Sequence, residues 1–518
     1  MLVHPIGRRS LLAGAAGSFA ASALVQGAAA QATPKRGGIL RVACPYNPST
    51  LDPMTGSSGN DHIFLYTIYD TLIEWEYSTL MPKPGLAKAW SYPDPNTLLL
   101  DLQPGVMFHD GTPFDAQAVK FNLDRGRQDP TSNVKPDLGK VTEVVVTGPL
   151  QVALKLSQPD TSLPLTLSDR AGMMVSPKAA QALGREHDRA PVGTGAWKFV
   201  SWQNNEKVTV TRNEGYWKPG RPYLDGIELS VINEVNTGLR SVIGGQNDFV
   251  FFLSPQQKAV VDRAKNLVSV SGPTLYCIQL YLNYGRKPLN DVRVRQALNY
   301  AVDREAFNKA TMAGLAEPAT LNIPSSHWAY DKVAAARYPY DPDKAKALLT
   351  EAGYKDGLDL DLQGTSDQRS VQREEVLTEQ LAKAGIRAHF TNGMIPATTT
   401  KFFVDKQHDA YLSAWTGRPD PSLTYQLLFG KDAFYNTSRT DPVPDLAAAL
   451  QATSAGQTLE ERKIAFAKVE QLVADNALIV PLVFQNALDA YRTSVKGYRL
   501  NLLGKPKFED VWLDGQSG

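Results

Sequence analysis

Seven histidines and two cysteines are the side chains in this 518-residue sequence best suited to hold a metal or attack a substrate, and their spacing serves neither purpose. No His has a His or Cys partner at metal-ligand spacing, so a metal bound directly by protein is not expected. The sequence has no His-Glu-x-x-His, no Gly-x-Ser-x-Gly, no Cys-x-x-Cys and no Walker loop. His109-Asp110 and His408-Asp409 are suggestive pairs, but each stands without a nucleophile. Gly193-Thr194-Gly195 is followed by neither a third glycine nor Gly-Lys-Ser/Thr, so it reads as a turn into a hairpin, with positive φ at its glycines, rather than a phosphate loop. Cys44 and Cys277 sit in apolar, strand-like runs and read as two separate buried thiols. An exported hydrolase is therefore the alternative reading, not the leading one, and no cofactor is implied.

The N-terminus reads as an export signal. Gly7-Arg8-Arg9-Ser10-Leu11-Leu12 has the form of a twin-arginine start, and an Ala/Gly-rich apolar stretch runs from Leu11 to Val25. Ala28-Ala29-Ala30 or Ala30-Gln31-Ala32 supplies the cleavage site, which makes 1–32 a leader and the mature chain periplasmic. Removing it takes away Arg8 and Arg9 and no acid, so the formal charge moves from +1 to −1. Such a balance gives no support for a nucleic-acid or membrane-surface partner. The remaining length exceeds what one core organises, so two or three domains are expected.

The stretch from Tyr69 to Arg125 organises the rest. It opens with an apolar segment expected to be helical to about Ile73. Pro82 and Pro84 lead into Gly85-Leu86-Ala87-Lys88-Ala89-Trp90. A Pro-Asp-Pro-Asn turn at 93–96 then launches an apolar run from Thr97 to Leu102. Gln103-Pro104-Gly105 turns it into a second run, Val106 to Phe108, expected to complete a hairpin. His109-Asp110-Gly111 is another turn, and Asp115 stands as N-cap of a helix carrying Val119 and Leu123. Further on, Asn290 is the expected cap of a helix burying Val294, Leu298, Ala301 and Val302, with Arg293 and Arg295 in surface ion pairs. Asp341-Pro342 and Thr458-Leu459-Glu460-Glu461 start two later helices.

These segments, in this order, resemble the family 5 extracellular solute-binding proteins, the periplasmic receptors of peptide/nickel-type ABC importers. The resemblance rests on PGLAKAW, GVMFHDGTPF, Asp124-Arg125, the Pro191–Phe199 segment and above all Pro288 to Arg304 (PLNDVRVRQALNYAVDR). It implies an α/β, two-lobed periplasmic binding protein fold with an extra inserted subdomain and a ligand cleft between the lobes. Lobe one would comprise 33–56, 190–272 and 486–518, the inserted subdomain 57–189, and lobe two 273–485. A hinge near Ser271–Cys277 and Phe484–Leu488 would let a bound solute favour closure. The implied role is delivery of a small solute to permease subunits, with ATP hydrolysed by further subunits and the protein itself a monomer. Members of the family take peptides, nickel chelates, glutathione-like compounds, opines and sugars; a periplasmic chaperone or sensor would use the same fold.

The resemblance also points to a ligand loop, Ala414-Trp415-Thr416-Gly417-Arg418-Pro419-Asp420-Pro421. Peptide-binding relatives carry a similar loop in which an Asp after the Trp holds the ligand's ammonium; here Arg418 takes that place. A fixed cation there repels an ammonium and favours a carboxylate or phosphate, gripped by two N–H donors. Alternatively Arg418 pairs with Asp420, or Asp420 takes over the ammonium. Trp415 would offer a flat wall, with Thr416 and Gly417 beside it. Tyr46, Asn47 and Arg369 are further candidates, from loops that the family turns towards the cleft.

Overall fold

In the computed structural model, which describes residues 33–515 apart from 57 and 442, the chain forms three main sheets among the described residues, of seven, six and four strands. The leader lies outside the described residues. In the first sheet, Ile39–Cys44 runs parallel to Gly226–Val231 and to Phe249–Val250, and Leu40, Val42 and Cys44 are fully buried. The hairpin Trp197–Gln203 and Lys207–Arg212 forms one edge. Ala487–Arg492 returns from the far end of the sequence to pair with Leu267–Gly272 near the other. The second sheet has Cys277–Leu282 between Ile479–Phe484 and Ala410–Trp415. All six residues of Cys277–Leu282 are buried, as in a strand covered on both faces. Both cysteines are free thiols.

The third sheet is antiparallel throughout: Ala87–Asp94, Thr97–Leu102, Gln151–Leu156 and Val141–Gly148 in spatial order. Helix Ala116–Gln128 packs on it through Val119 and Leu123, and Asp115 caps that helix by accepting from the Ala118 N–H at 2.9 Å. Arg125 pairs with Asp52, which ties this helix to the loop leaving the first sheet. The chain passes between the first and second sheets twice, at 273–276 and 485–486. The two crossings bond to one another: the Gln485 N–H donates to the Tyr276 carbonyl (2.8 Å) and Thr274 Oγ1 to the Gln485 carbonyl (2.6 Å).

Several expectations need correction. The helix before Ile73 spans His62–Ile68, and Ile73–Trp75 is a strand paired with Pro82–Pro84. Short apolar runs do not separate helix from strand, and here backbone pairing decides. Thr97–Leu102 makes its hairpin with the preceding Ala87–Asp94, whereas Val106–Phe108 contributes an isolated bridge, Met107 to Pro113. Asp291, not Asn290, caps Val292–Tyr300, accepting from the Arg293 N–H at 2.9 Å. Arg293 does pair with Asp291, but Arg295 is 4% exposed and donates to the carbonyls of Leu289 and Asn476. Gly193 and Gly195 do not have positive φ; a Cβ on either would lie within 2.5 Å of the Ile68 backbone, so close approach is what requires them. His109 holds the same turn, with Nε2 2.9 Å from the Gly195 carbonyl and Nδ1 accepting from the Gly193 N–H at 3.3 Å. Burial pushes its pKa down to about 4, so at neutral pH it is an uncharged structural bridge.

The core around the second sheet contains a carboxyl with a measurable pH signature. Glu470 is fully buried, accepts from Tyr425 Oη and the Asp331 N–H at 2.7 Å each, and is pushed by burial up to about 8. An acid whose folded pKa is raised stabilises the fold while protonated, and that stability falls as pH rises from its unfolded value to the folded one. Asp489 (about 7) acts in the same direction, whereas His62, His109 and His327 (each about 4) act below pH 6.5 and in the opposite sense. Melting temperature is therefore expected to fall between pH 6.5 and 8. Glu470→Gln should flatten that slope by about 2 kcal/mol across the window, read by calorimetric melting at each pH. An unchanged slope in the variant would refute the assignment.

Candidate ligand-binding cleft

The loop at 415–421 is built from both ends. Trp415 ends its strand opposite Cys277, is 3% exposed, donates its indole N–H to Thr424 Oγ1 (3.3 Å) and meets Tyr435 edge-on. Its polar handle is therefore engaged within the second sheet's core, and the flat free wall expected of it is replaced by a packed ring. Thr416 is exposed. Gly417 adopts φ +72°, and a Cβ there would sit 2.3 Å from Leu275 Cβ in the first crossing. The far end is fixed by Asp420, which is fully buried. Asp420 caps helix Pro421–Phe429 through the Ser422 N–H (2.9 Å) and takes both carboxylate bonds from Arg462 Nη2, at 2.7 and 2.8 Å. Both expectations for Asp420 are thus overturned: its partner is Arg462, not Arg418, and it has no surface left for a ligand's ammonium.

Arg418 is left free by that arrangement. It is half-buried, and its Nε is enclosed without a hydrogen-bond partner among the described residues. Its charge acts across to the other two sheets: it favours the ionised forms of Asp137 and Asp169 and opposes protonation of Lys505. Asp137 lies on the loop before Val141–Gly148, and burial raises its carboxyl to about 6 against the pull of Arg418. Asp169 pairs with buried His62, and more distantly with Lys505 at 3.8 Å. Burial lowers the Lys505 ammonium to about 8, countered by Asp169. Arg170 next door binds Asp61 (3.0 Å) but keeps Nη1 buried and unpartnered among the described residues. The result is a cluster of three cations, Arg418, Arg170 and Lys505, and three carboxyls, Asp61, Asp137 and Asp169, in which Arg418 has no ion pair among the described residues.

Of the other candidates, Tyr46 and Arg369 are brought within electrostatic reach of each other at the crossings. Burial raises the Tyr46 hydroxyl, with Tyr276 and Cys44 adding to the shift and Arg369 opposing it. Arg373 joins them, donating to Gln485 Oε1 at 3.3 Å. Asn47 does not join them: its Oδ1 accepts from Trp202 Nε1 (3.2 Å) and the Asn205 N–H (3.0 Å), and its amide donates to Asn204 (2.9 Å). It is a brace for the hairpin turn. Sequence reasoning missed Asp137, Asp169, Lys505, Tyr276 and Arg373. None stands in a motif of its own, and what places them at the site is chain crossing, which local pattern does not report.

Comparison with known proteins agrees with this architecture. The family described as bacterial extracellular solute-binding proteins, family 5, middle region, matches residues 81–436. Proteins named glutathione-binding protein GsiB are 30% identical over 480 residues in Salmonella typhi (88% of this chain, 91% of the relative). In Escherichia coli O157:H7 the identity is 30% over 494 residues (91% and 94%). Among solved structures, DppA from Helicobacter pylori in complex with the peptide STSA superposes with TM-score 0.79 at 24% identity, covering 93% of this chain and 99% of that one. AgaA from A.tumefacien R10 with agropinic acid superposes with TM-score 0.80 at 22% identity, covering 92% and 99%. Both superpositions establish a shared fold. No helix of the described residues is long and apolar enough to cross a membrane.

Proposed function

The chain belongs to the bacterial extracellular solute-binding proteins of family 5, substrate-binding components of ABC importers with a two-lobed fold, and from that premise we propose that its ligand is a small peptide-like solute carrying a carboxylate. The observation that carries this reading is Arg418, whose enclosed Nε lacks a partner among the described residues while its charge acts on Asp137, Asp169 and Lys505. A charge-assisted bond to a ligand carboxylate is worth about 1.5–3 kcal/mol. Asp137, within electrostatic reach of Arg418, is the group that suits an ammonium. A γ-glutamyl tripeptide of the glutathione type carries both charges, and the names of the relatives at 30% identity support that class. In this reading lobe one is 33–56, 190–272 and 486–518, the inserted subdomain 57–189 and lobe two 273–485, with closure about 273–276 and 485–486. The mature protein is a periplasmic monomer, freed of its leader. It performs no chemistry and hands its solute to the permease, while partner subunits hydrolyse ATP.

Thermal unfolding of residues 33–518 tests the assignment. Glutathione and small peptides form one ligand set; their C-terminal amides and N-acylated counterparts form the others. At about 100 times its dissociation constant a ligand stabilises by about 2.7 kcal/mol, which a melting curve resolves. Shifts are expected with free carboxylates, to be lost with amides and lost in Arg418→Ala. Ligands with a free ammonium should also bind more weakly as pH falls below about 6 and Asp137 takes up a proton, whereas acylated ligands should not. Equal shifts with amides and acids, or full retention of binding in Arg418→Ala, would overturn the reading.

A further inference from the structure

We propose that the inserted subdomain is a closure latch that caps a lobe-two helix in trans. Helix Leu446–Ala455 belongs to lobe two, and like any helix it leaves the carbonyls of its last turn without partners of their own. Here the partner comes from the inserted subdomain. The Thr161 N–H donates to the Ser454 carbonyl at 2.7 Å, and Thr161 Oγ1 lies 3.1 and 2.8 Å from the Ser454 and Gly456 carbonyls. Lys140 places its ammonium 2.8 Å from Ser454 Oγ, a cation at the negative end of the helix dipole. Gln451 Nε2 donates to Gln158 Oε1 at 2.8 Å. The loop that makes these contacts is set beforehand within its own subdomain. Asp160 accepts from Ser162, is paired with Lys140 at 3.1 Å, and has its carbonyl held by Tyr92 Oη at 2.6 Å.

The receiving side is wired to the ligand loop. Arg462 donates through Nε to the Thr453 carbonyl (2.9 Å) and through Nη2 to Asp420, two residues from Arg418. The receiving helix and the ligand loop are therefore tied to one another, and seating the latch on that helix brings Arg418 towards Asp137. Thr161 and Lys140 touch no residue of the proposed ligand site. They act as positioning residues that set the ratio of closed to open molecules, and through it the apparent affinity for any ligand of the closed form.

The inference rests on the solute-binding reading but needs no assigned ligand to test. Lys135 and Lys468, both exposed, are replaced by cysteine and labelled for single-molecule energy transfer in ligand-free mature protein; Cys44 and Cys277 are fully buried and stay unlabelled. Wild type should show a short-distance population. In Thr161→Val/Lys140→Met the closed-to-open ratio should fall about tenfold, the sum of a few modest hydrogen bonds and one dipole interaction. Thr161→Ser should restore most of the hydroxyl's share. Gln451→Ala, from the lobe-two side, should shift the ratio in the same direction. Unchanged ratios in folded variants, or no short-distance population in wild type, would overturn the latch. Loss of carboxylate binding in Arg418→Ala with latch ratios intact would still support the ligand assignment, so the two readings fail separately.

Discussion

Asp420→Ala should destabilise lobe two by about 3–5 kcal/mol, the cost of removing one partner from a buried ion pair. Asp420 is fully buried, and Arg462, 42 residues on in sequence, is 8% exposed and lies 5.1 Å over the Trp328 ring. The variant strands the guanidinium against an indole and a carbonyl, and it also takes the N-cap from helix Pro421–Phe429, worth about 1 kcal/mol. Asp420→Asn separates the two costs, since an amide still caps but no longer neutralises Arg462. Arg462→Met in the Asp420→Asn background should recover much of the loss, because it removes the guanidinium left buried without a counter-charge. Denaturant unfolding followed by fluorescence reports on the second core through Trp415 and Trp328, two of the eight tryptophans. Additive single-variant costs, with no recovery in the double variant, would show that the two residues do not act as a pair. Ligand affinity should fall further than stability alone explains, because Arg418 loses the anchor two residues away.

The same pair marks where local pattern stops being informative. Elements whose cause is local were legible: Asp115, Asp341 and Thr458 as caps, the 197–212 hairpin and the buried thiols all follow from neighbours a few residues away. The Asp291 cap was missed by one residue because Asn290 and Asp291 are both good caps and only backbone geometry separates them. Asp420-Pro421 is visibly a helix start, yet only the fold brings up Arg462, 42 residues on, to claim both carboxylate oxygens. Arg418 stood out because its charge is wrong for an ammonium site. What it faces comes from 137, 169 and 505, residues far away in sequence whose meeting depends on the chain crossing twice between sheets. The twin glycines at 193 and 195 are legible by type but not by geometry, since crowding by Ile68, invisible in a motif, replaces the turn conformation.

Gly417→Ala should be nearly as damaging as loss of the ion pair, and for a reason tied to closure. At φ +72° an L side chain costs about 1–2 kcal/mol. The new Cβ would also lie 2.3 Å from Leu275 Cβ, and overpacking of that kind costs about 1–3 kcal/mol. Leu275 cannot retreat cheaply. It is 3% exposed, its N–H is bonded to the Leu502 carbonyl at 2.8 Å, and it packs with Trp75, Leu80, Leu165 and Leu502 from the far side of the crossing. The strain therefore falls between the loop at 415–421 and the crossing at 273–276, where, on the proposed hinge, a small rotation relieves part of it. Gly417→Ala should thus lower ligand affinity and the closed population as well as melting temperature. Leu275→Gly in the same chain should restore closure, because only loss of the Leu275 Cβ ends the collision, but not the full stability, because the left-handed backbone and a new cavity remain. If Gly417→Ala lowers stability while affinity and closed fraction stay at wild-type values, the glycine is a turn requirement alone. If both fall and only closure returns with Leu275→Gly, contact between loop and linker is what couples the ligand site to the hinge.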